Sequence, residues 1–331
     1  MRAVQMKAHG GYEELQAVDL PDPIAGAGDV LVKVGAAGVT PLDRTVLAGL
    51  LPTAAHPPLV LGNEGAGTVL EDPSGTFRRG ERVVFFAGTG GVMRDGTYAE
   101  LAIAPVGNLA PLPDEISDVV AAGLPAAYLS AFLALRQAGF SEGDVVLAPG
   151  VGGSVGNATL KLAGALGASR LLSTAGSQGK LDAARADAGL GAVEVIELDS
   201  ESLADGLKRL APQGVDVVVD AVGGALTGQA VSGLARGGRA IVMGYVAGAR
   251  TEVAITDLVW KRATLSGFSL FASTDEQQAE AYRTLLPMIS DGRIRPARDR
   301  AYPLEEAGEA LRHLTEDRPF GKVTLAISDR R

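Results

Sequence analysis

Val145-Val146-Leu147-Ala148-Pro149-Gly150-Val151-Gly152-Gly153-Ser154-Val155-Gly156 is the stretch that decides the fold. It opens as an apolar, β-branched run, the composition of a buried strand. It then enters a glycine-rich turn and continues into a segment carrying Ala158, Leu160, Leu162 and Ala163, the composition of a packed helix. Glycines permit the tight turn and let backbone N–H groups approach a pyrophosphate, while the helix N-terminus adds partial positive charge. A glycine-rich turn alone is equally well a plain loop. Its place between strand and helix makes it a dinucleotide cradle, formed by Gly150, Gly152, Gly153, Ser154 and Val155. Gly150, Gly153 and Gly156 recur every third residue, with Gly152 extra, so the spacing departs from G-x-G-x-x-G and shifts which amides face the phosphates.

The flanking sequence supports this reading. Strand patterns at Leu171–Thr174, Val193–Leu198, Val215–Asp220, Ala240–Gly244 and Thr264–Phe268 alternate with helical patterns. The helices fall at Gly179–Ala188, Ser202–Leu210 and Leu226–Ala235. Such alternation predicts a parallel sheet with right-handed crossovers. Upstream the character differs. Ala3–Ala8, Asp29–Ala36, Glu64–Leu70, Arg82–Phe86 and Thr97–Ala104 read as short strands punctuated by Gly and Pro, a β-rich and barrel-like unit. Thr40 caps a short helix begun by Pro41. Downstream, Asp275–Ile289 and Leu304–Leu314 read as amphipathic helices and Lys322–Ile327 as a closing strand.

The end of the second strand of the alternating region tests the choice of nucleotide. An acid about 20 residues after the glycines selects NAD by binding the ribose hydroxyls. Here the segment is Ser173-Thr174-Ala175-Gly176-Ser177-Gln178-Gly179-Lys180, with no acid. The hydroxyls of Thr174 and Ser177 and the ammonium of Lys180 suit a 2′-phosphate, so NADPH is the expected cofactor. The alternative is that Ser177 merely caps the next helix and Lys180 is solvated. Strand carboxyl ends line the ligand crevice in such sheets, which adds Val222, Gly223, Gly244 and Tyr245 as cofactor contacts. Simple turn geometry is the alternative for each, the glycines above all.

Composition removes other classes. The 331 residues are 47% hydrophobic and 21% charged, the balance of a folded protein. Thirty Lys and Arg against thirty-nine Asp and Glu give a net charge of −9, which disfavours nucleic-acid binding. Arg293, Arg295, Arg298 and Arg300 are the one dense basic group and read as a solvated loop face. The absence of cysteine excludes disulfides, Cys-ligated metals and a thiol nucleophile, and fits a reducing cytoplasm. No signal peptide is visible. The longest uncharged run, between Asp118 and Arg136, contains Gly123 and Pro125 and is short of the ~20 residues of a membrane span. It reads as a buried core helix, so no membrane partner is expected.

At the level of ordered motifs the sequence resembles the zinc-independent quinone oxidoreductases of the medium-chain dehydrogenase/reductase superfamily. The resemblance covers nearly the whole chain. It is carried by Val30–Val34 through Ala36-Ala37-Gly38-Val39-Thr40-Pro41-Leu42-Asp43, then Gly62-Asn63-Glu64-Gly65-Ala66-Gly67-Thr68-Val69. Gly80-Glu81-Arg82-Val83, Gly96-Thr97-Tyr98-Ala99-Glu100, the glycine turn, Val215-Asp216 to Asp220-Ala221-Val222-Gly223-Gly224 and Gly321-Lys322-Val323 complete it. It implies an α/β fold in which a Rossmann doubly wound parallel sheet is inserted into a GroES-like β-rich catalytic domain. The expected boundaries are 1–122 for the N-terminal part of the catalytic domain, 123–268 for the NADPH-binding domain and 269–331 for the return. It also implies a homodimer paired through Rossmann-domain sheet edges, and a backbone at Phe268, Ser269 and Leu270 that holds the nicotinamide carboxamide.

Related alcohol dehydrogenases carry a zinc-ligating Cys at the position of Thr40 and a zinc-ligating His at that of Asn63. Both soft ligands are missing, and His9, His56 and His313 have no metal-ligand spacing, so no metal is expected. Without that Lewis acid the chemistry left is reduction of an already electrophilic quinone or conjugated C=C. Negative charge then develops on a carbonyl oxygen, and donors aimed at it lower the barrier. Thr40 is the first candidate donor. Ser130 is the second, standing where the family often has a Thr near the nicotinamide. Asn63, Tyr128 and Leu47 are candidates for the substrate pocket, whereas Asp43, Glu64 and Tyr98 read as structural. Departures from the family include Thr40 for Asn, Leu47 for Arg and Leu198 for Tyr. The expected function is an NADPH-dependent, zinc-free reductase of a small-molecule quinone or enone. The alternatives are a 2-enoyl thioester or specialised-metabolite double-bond reductase, and an NADPH-binding sensor without turnover.

Overall fold

A computed structural model of the protein describes residues 1–327. The chain divides into two units. The first takes Met1–Ala126, Ser273–Ser290 and the C-terminal part from Arg298; the second takes Ala127–Ala272 and Asp291–Ala297.

In the second unit the apolar runs form one six-stranded sheet, parallel throughout. Its spatial order is Val193–Glu197, Arg170–Ala175, Val145–Ala148, Val215–Asp220, Leu234–Val242, Thr264–Gly267. Val145–Ala148 is first in sequence and sits mid-sheet, so the order reverses direction beside it, which is the switch point where such sheets bind ligands. Leu147, Leu172, Ile196 and Val218 from the strands pack with Leu203, Leu207 and Val231 from the helices. Helical cover on such strands explains their near-continuous hydrophobicity.

Several elements differ from the sequence reading. The helix expected to reach Ala235 ends at Ser232, because Gly233 caps it and Leu234 already pairs with Val215. The strand then runs from Leu234 to Val242, with a bulge between Val215 and Val217 on its partner and Gly237 at φ +78. The helix Ile255–Lys261 was not visible in the sequence, since it buries no residue and so carries no core-facing period. The uncharged run between Asp118 and Arg136 is not one helix. It breaks into a capped turn of helix at Asp118–Ala121, a π-turn at Pro125–Leu129 and a helix at Ser130–Gln137, as Gly123 and Pro125 dictate.

The first unit is built on Asp29–Gly38, a ten-residue strand kinked by two register shifts. It pairs antiparallel with Glu64–Glu71, Leu101–Pro105 and Lys322–Ala326. Thr324 faces Gly38 and Leu325 faces Ala37, so the C-terminal strand completes a sheet begun by the N-terminal third. Arg82–Phe86 and Leu109–Pro111 extend that sheet on one side and Arg298–Pro303 on the other. A second sheet joins Leu15–Asp19, Arg2–Met6 and Leu59–Val60. The strand Arg298–Pro303 corrects the reading of the Arg293–Arg300 region as loop alone. Arg293 there pairs with Asp291 and Arg300 with Asp299.

The expected return at 269–331 is also interrupted. Asp291–Ala297 packs with the second unit, where Ile294 is buried and the Lys161 ammonium donates to the Arg295 carbonyl at 2.7 Å. Among the described residues no helix is long and apolar enough to cross a membrane.

Candidate active site and cofactor cradle

The glycine turn is braced from the neighbouring strand. Gly150 adopts φ +81, and its N–H donates to Thr174 Oγ1 at 2.9 Å, while the Val151 N–H donates to the Thr174 carbonyl at 2.9 Å. Thr174 is buried, and its hydroxyl oxygen and carbonyl hold the turn in place. A Cβ on Gly156 would lie 2.5 Å from the Gly150 carbonyl oxygen and 2.8 Å from that of Pro149, so the turn closes only because Gly156 has no side chain. Gly153 has the extended conformation that caps the helix Ser154–Ala165, is exposed, and has space for a Cβ apart from Gly150 O at 3.3 Å. It offers no capping side chain, which leaves the first-turn N–H groups to a ligand. Gly152 is buried and shapes the turn from behind, whereas Ser154 and Val155 are half-buried at its mouth. Ser177 precedes the helix Gln178–Ala186 without capping it by its side chain, and is exposed.

The carboxyl ends of the last three strands enclose a cavity of about 430 Å³. Gly223, Gly244, Tyr245 and Phe268 line it, so four of the sequence-expected contacts converge there. Val222 donates its amide to Asp220 Oδ1 beside them. Ser269 is exposed just past the cavity, and Leu270 turns inward and is buried. Close packing again requires glycine: a Cβ on Gly244 would meet the Ala221 carbonyl oxygen at 1.9 Å. The cavity and the glycine turn both lie at strand carboxyl ends on the second unit's sheet.

Ser130 and Tyr128 belong to the same unit. Both are buried, and among the described residues the Tyr128 hydroxyl has no hydrogen-bond partner. Burial, reinforced by the Asp187 charge, pushes the Tyr128 phenol well above its ordinary range, so it stays protonated as a donor. Tyr128 rides on the π-turn Pro125–Leu129, a form of helix that concentrates at functional positions.

In the first unit, Thr40 is buried and its hydroxyl donates to Asp43 Oδ2 at 2.9 Å, while its amide donates to the same oxygen at 2.7 Å. Asp43 also accepts the Tyr98 hydroxyl at 3.0 Å and the Gly62 amide at 3.2 Å. Burial pushes the Asp43 carboxyl up, against the hydrogen bonds from Thr40 and Tyr98 and the Lys322 charge. The Thr40 proton is thus committed to Asp43, which corrects its reading as first donor to a substrate oxygen. Leu47 is a second correction. It is fully buried in the hydrophobic core, because its helix turns that face inward. Asn63 is buried, and among the described residues its Oδ1 has no partner. Glu64 forms a buried ion pair with Lys322 and accepts the Ala126 amide at 2.6 Å. Gly38 makes room for it, since a Cβ there would sit 2.1 Å from Glu64 Oε1.

The sequence reading assigned no role to Asp220 or Thr227. The signal available was a strand, apolar but for Asp216, that ends in the Asp220 carboxylate and runs into Ala221-Val222-Gly223-Gly224.

Two strand systems of this kind, one parallel with a glycine cradle and one mainly antiparallel that joins N- and C-terminal strands, define a nucleotide-dependent dehydrogenase or reductase. The family model described as alcohol dehydrogenase GroES-like domain matches residues 26–114, and that described as zinc-binding dehydrogenase matches 190–325. The chain is 31% identical to a quinone oxidoreductase of Rattus norvegicus and 30% identical to one of Homo sapiens, each alignment covering 99% of this chain and 98% of the relative. The Escherichia coli quinone oxidoreductase complexed with NADPH superposes with a TM-score of 0.86 at 28% identity, covering 98% of this chain and all of that one. A quinone oxidoreductase of Pseudomonas syringae superposes with a TM-score of 0.87 at 28% identity, covering 98% and 99% of the two chains. The chain belongs to the quinone oxidoreductase family of the medium-chain dehydrogenase/reductase superfamily.

The zinc of the second family model's description finds no donor set here. Thr40 and Asn63 occupy the positions noted above, Asp43 is taken by three neighbours, and no cluster of three His, Cys, Asp or Glu among the described residues is placed to hold a metal.

Proposed function

We propose that the protein binds NADPH in the second unit and reduces a quinone, or the C=C of an α,β-unsaturated carbonyl compound, without zinc. The observation that carries this is the cradle: Gly150 at positive φ, Gly156 closed to any side chain, and an uncapped Gly153 at the helix mouth, on the same sheet as the strand-end cavity. The amides of Ser154 and Val155 and the helix terminus bind the pyrophosphate. Ser177 and Lys180 take the 2′-phosphate. The backbone of Gly244, Tyr245 and Phe268 orients the nicotinamide, which supplies a hydride from C4 when bound. Ser130, buried in the same unit, donates to the carbonyl oxygen as charge grows there. Solvent supplies the remaining proton.

The same reading includes a homodimer. Thr264–Gly267 is an open sheet edge whose N–H and C=O groups can pair with a second copy. Beside it, Ile255, Val259 and Trp260 are 70%, 63% and 76% exposed, an apolar face that a monomer would leave in water. Light scattering should give a dimer, and Trp260→Lys should shift it toward monomer; a monomeric wild-type protein refutes the pairing.

One titration tests the enzymatic reading. NADPH and NADH are added in turn, followed by 1,4-benzoquinone and then an enone. Preferential NADPH binding with loss of its absorbance on addition of substrate supports the reductase and ranks the two substrate classes. Tight binding without oxidation by either refutes this substrate assignment and favours the sensor or a specialised reductase. No binding of either nucleotide refutes the cradle.

A further inference from the structure

Asp220 ends the strand Val215–Asp220 and is fully buried. Its Oδ1 accepts the amides of Val222 at 2.8 Å and Gly223 at 2.9 Å, and its Oδ2 accepts the Thr227 hydroxyl at 2.5 Å. Its backbone carbonyl accepts the amides of Met243 at 2.9 Å and Gly244 at 3.3 Å. One residue therefore ties together the turns that end two adjacent strands, and both turns line the 430 Å³ cavity. The fit between them is tight, since a Cβ on Gly223 would lie 2.5 Å from the Gly244 carbonyl oxygen.

Three donors converge on its two side-chain oxygens, the arrangement that suits an acceptor-only carboxylate. Among the described residues no cation pairs with it. Arg250 is the only charged side chain lining the cavity, and it is exposed and screened by water. Asp220 thus places an uncompensated negative charge in a dry wall directly behind the strand ends, where its field is weakly screened.

We propose that Asp220 is a positioning residue that acts through its charge: it favours the oxidised cofactor over the reduced one and so makes bound NADPH a stronger hydride donor. The inference rests on the cofactor reading above. The neutral dihydronicotinamide gives its hydrogen with both electrons to the substrate, and the ring that remains carries one positive charge. With the nicotinamide held in the cavity that these turns line, the buried carboxylate would stabilise the charged product and leave the neutral reactant nearly untouched, which is the differential interaction that shifts an equilibrium.

The test is the ratio of dissociation constants for NADP⁺ and NADPH, measured by calorimetry on the full chain. Asp220→Asn keeps the shape and one accepting oxygen for Val222 and Gly223. It should raise the NADP⁺/NADPH dissociation-constant ratio about tenfold. Thr227→Val keeps the charge but removes a donor that partly neutralises it, so the ratio should fall below the wild-type value. A residue that only ties the turns together would weaken both nucleotides in parallel. An unmoved ratio in Asp220→Asn, or a shift of the same sign in both variants, overturns the proposal. If Asp220→Asn does not fold, Thr227→Val decides alone: a fall supports the proposal, and no change or a rise overturns it. A wild-type protein that binds neither nucleotide overturns the cofactor reading and this inference with it, whereas normal wild-type binding with an unmoved ratio overturns this inference alone.

Discussion

Two glycines three residues apart should respond to substitution in opposite ways. At Gly156 a Cβ would stand 2.5 Å from the Gly150 carbonyl oxygen and 2.8 Å from that of Pro149, about 0.9 Å inside ordinary contact for the closer pair. Both neighbours are backbone and cannot rotate away, so Gly156→Ala must shift the turn itself. Overpacking of this kind costs about 1–3 kcal/mol. For a chain of this size each 1 kcal/mol lowers the melting temperature by roughly 2–4 °C. At Gly153 the nearest atom to a Cβ is 3.3 Å away and the backbone is extended, so Gly153→Ala should leave the melting temperature within about 1 °C. Its methyl projects instead into the pyrophosphate path, and NADPH affinity should drop about tenfold, with Gly153→Val abolishing measurable binding. Differential scanning calorimetry with and without NADPH, alongside isothermal titration, separates the two effects. Gly156→Ala with an unchanged melting temperature, or Gly153→Val with unchanged NADPH affinity, would refute the geometry of the cradle.

Lys322→Met leaves Glu64 charged and buried, and should destabilise the first unit by about 3–5 kcal/mol; the double variant with Glu64→Gln should recover much of it in denaturant titration. Lys180→Ala should weaken NADPH far more than NADH, and equal weakening measured by fluorescence titration would remove Lys180 from the phosphate site. His313 sits between Asp317 at 2.7 Å and Asp299 at 2.8 Å. Burial opposes its charge, but these two carboxylates outweigh it and hold its pKa above the ordinary histidine value. The pair's contribution is therefore complete below about pH 6.5, the unfolded value, and is lost as pH rises through the folded value. His313→Gln should flatten that part of the stability–pH curve, and an unchanged slope would show that the contacts are not charge-assisted.

Much of the cofactor half is local in the chain, which is why it reads directly. The turn Pro149–Gly156 lies within one βα connection, and the conformations it needs are dictated by which positions lack a Cβ. The alternation of buried strands and helices is likewise written in the spacing of apolar residues, because a parallel sheet covered by helices requires it. The same local logic fails for the helix Ile255–Lys261, whose Ile255, Val259 and Trp260 face outward, and at 118–137, where Gly123 and Pro125 outweigh apolar composition.

The sequence by itself determined the two strand systems, the glycine cradle, the lack of cysteine and the missing soft ligands at Thr40 and Asn63, since each depends on residue type and near spacing. Only the tertiary structure decided where polar hydrogens go. Thr40 and Asp43 are close in sequence, yet the partners that complete the knot, Gly62 and Tyr98, come from 19 and 55 residues beyond Asp43. Thr174 is taken by an amide 24 residues earlier, and Asp220 by a turn and a helix that follow it. Whether a hydroxyl is free for chemistry is a property of which distant donors and acceptors reach it first, and burial makes that outcome binding because an unpaired polar group in a dry interior is costly.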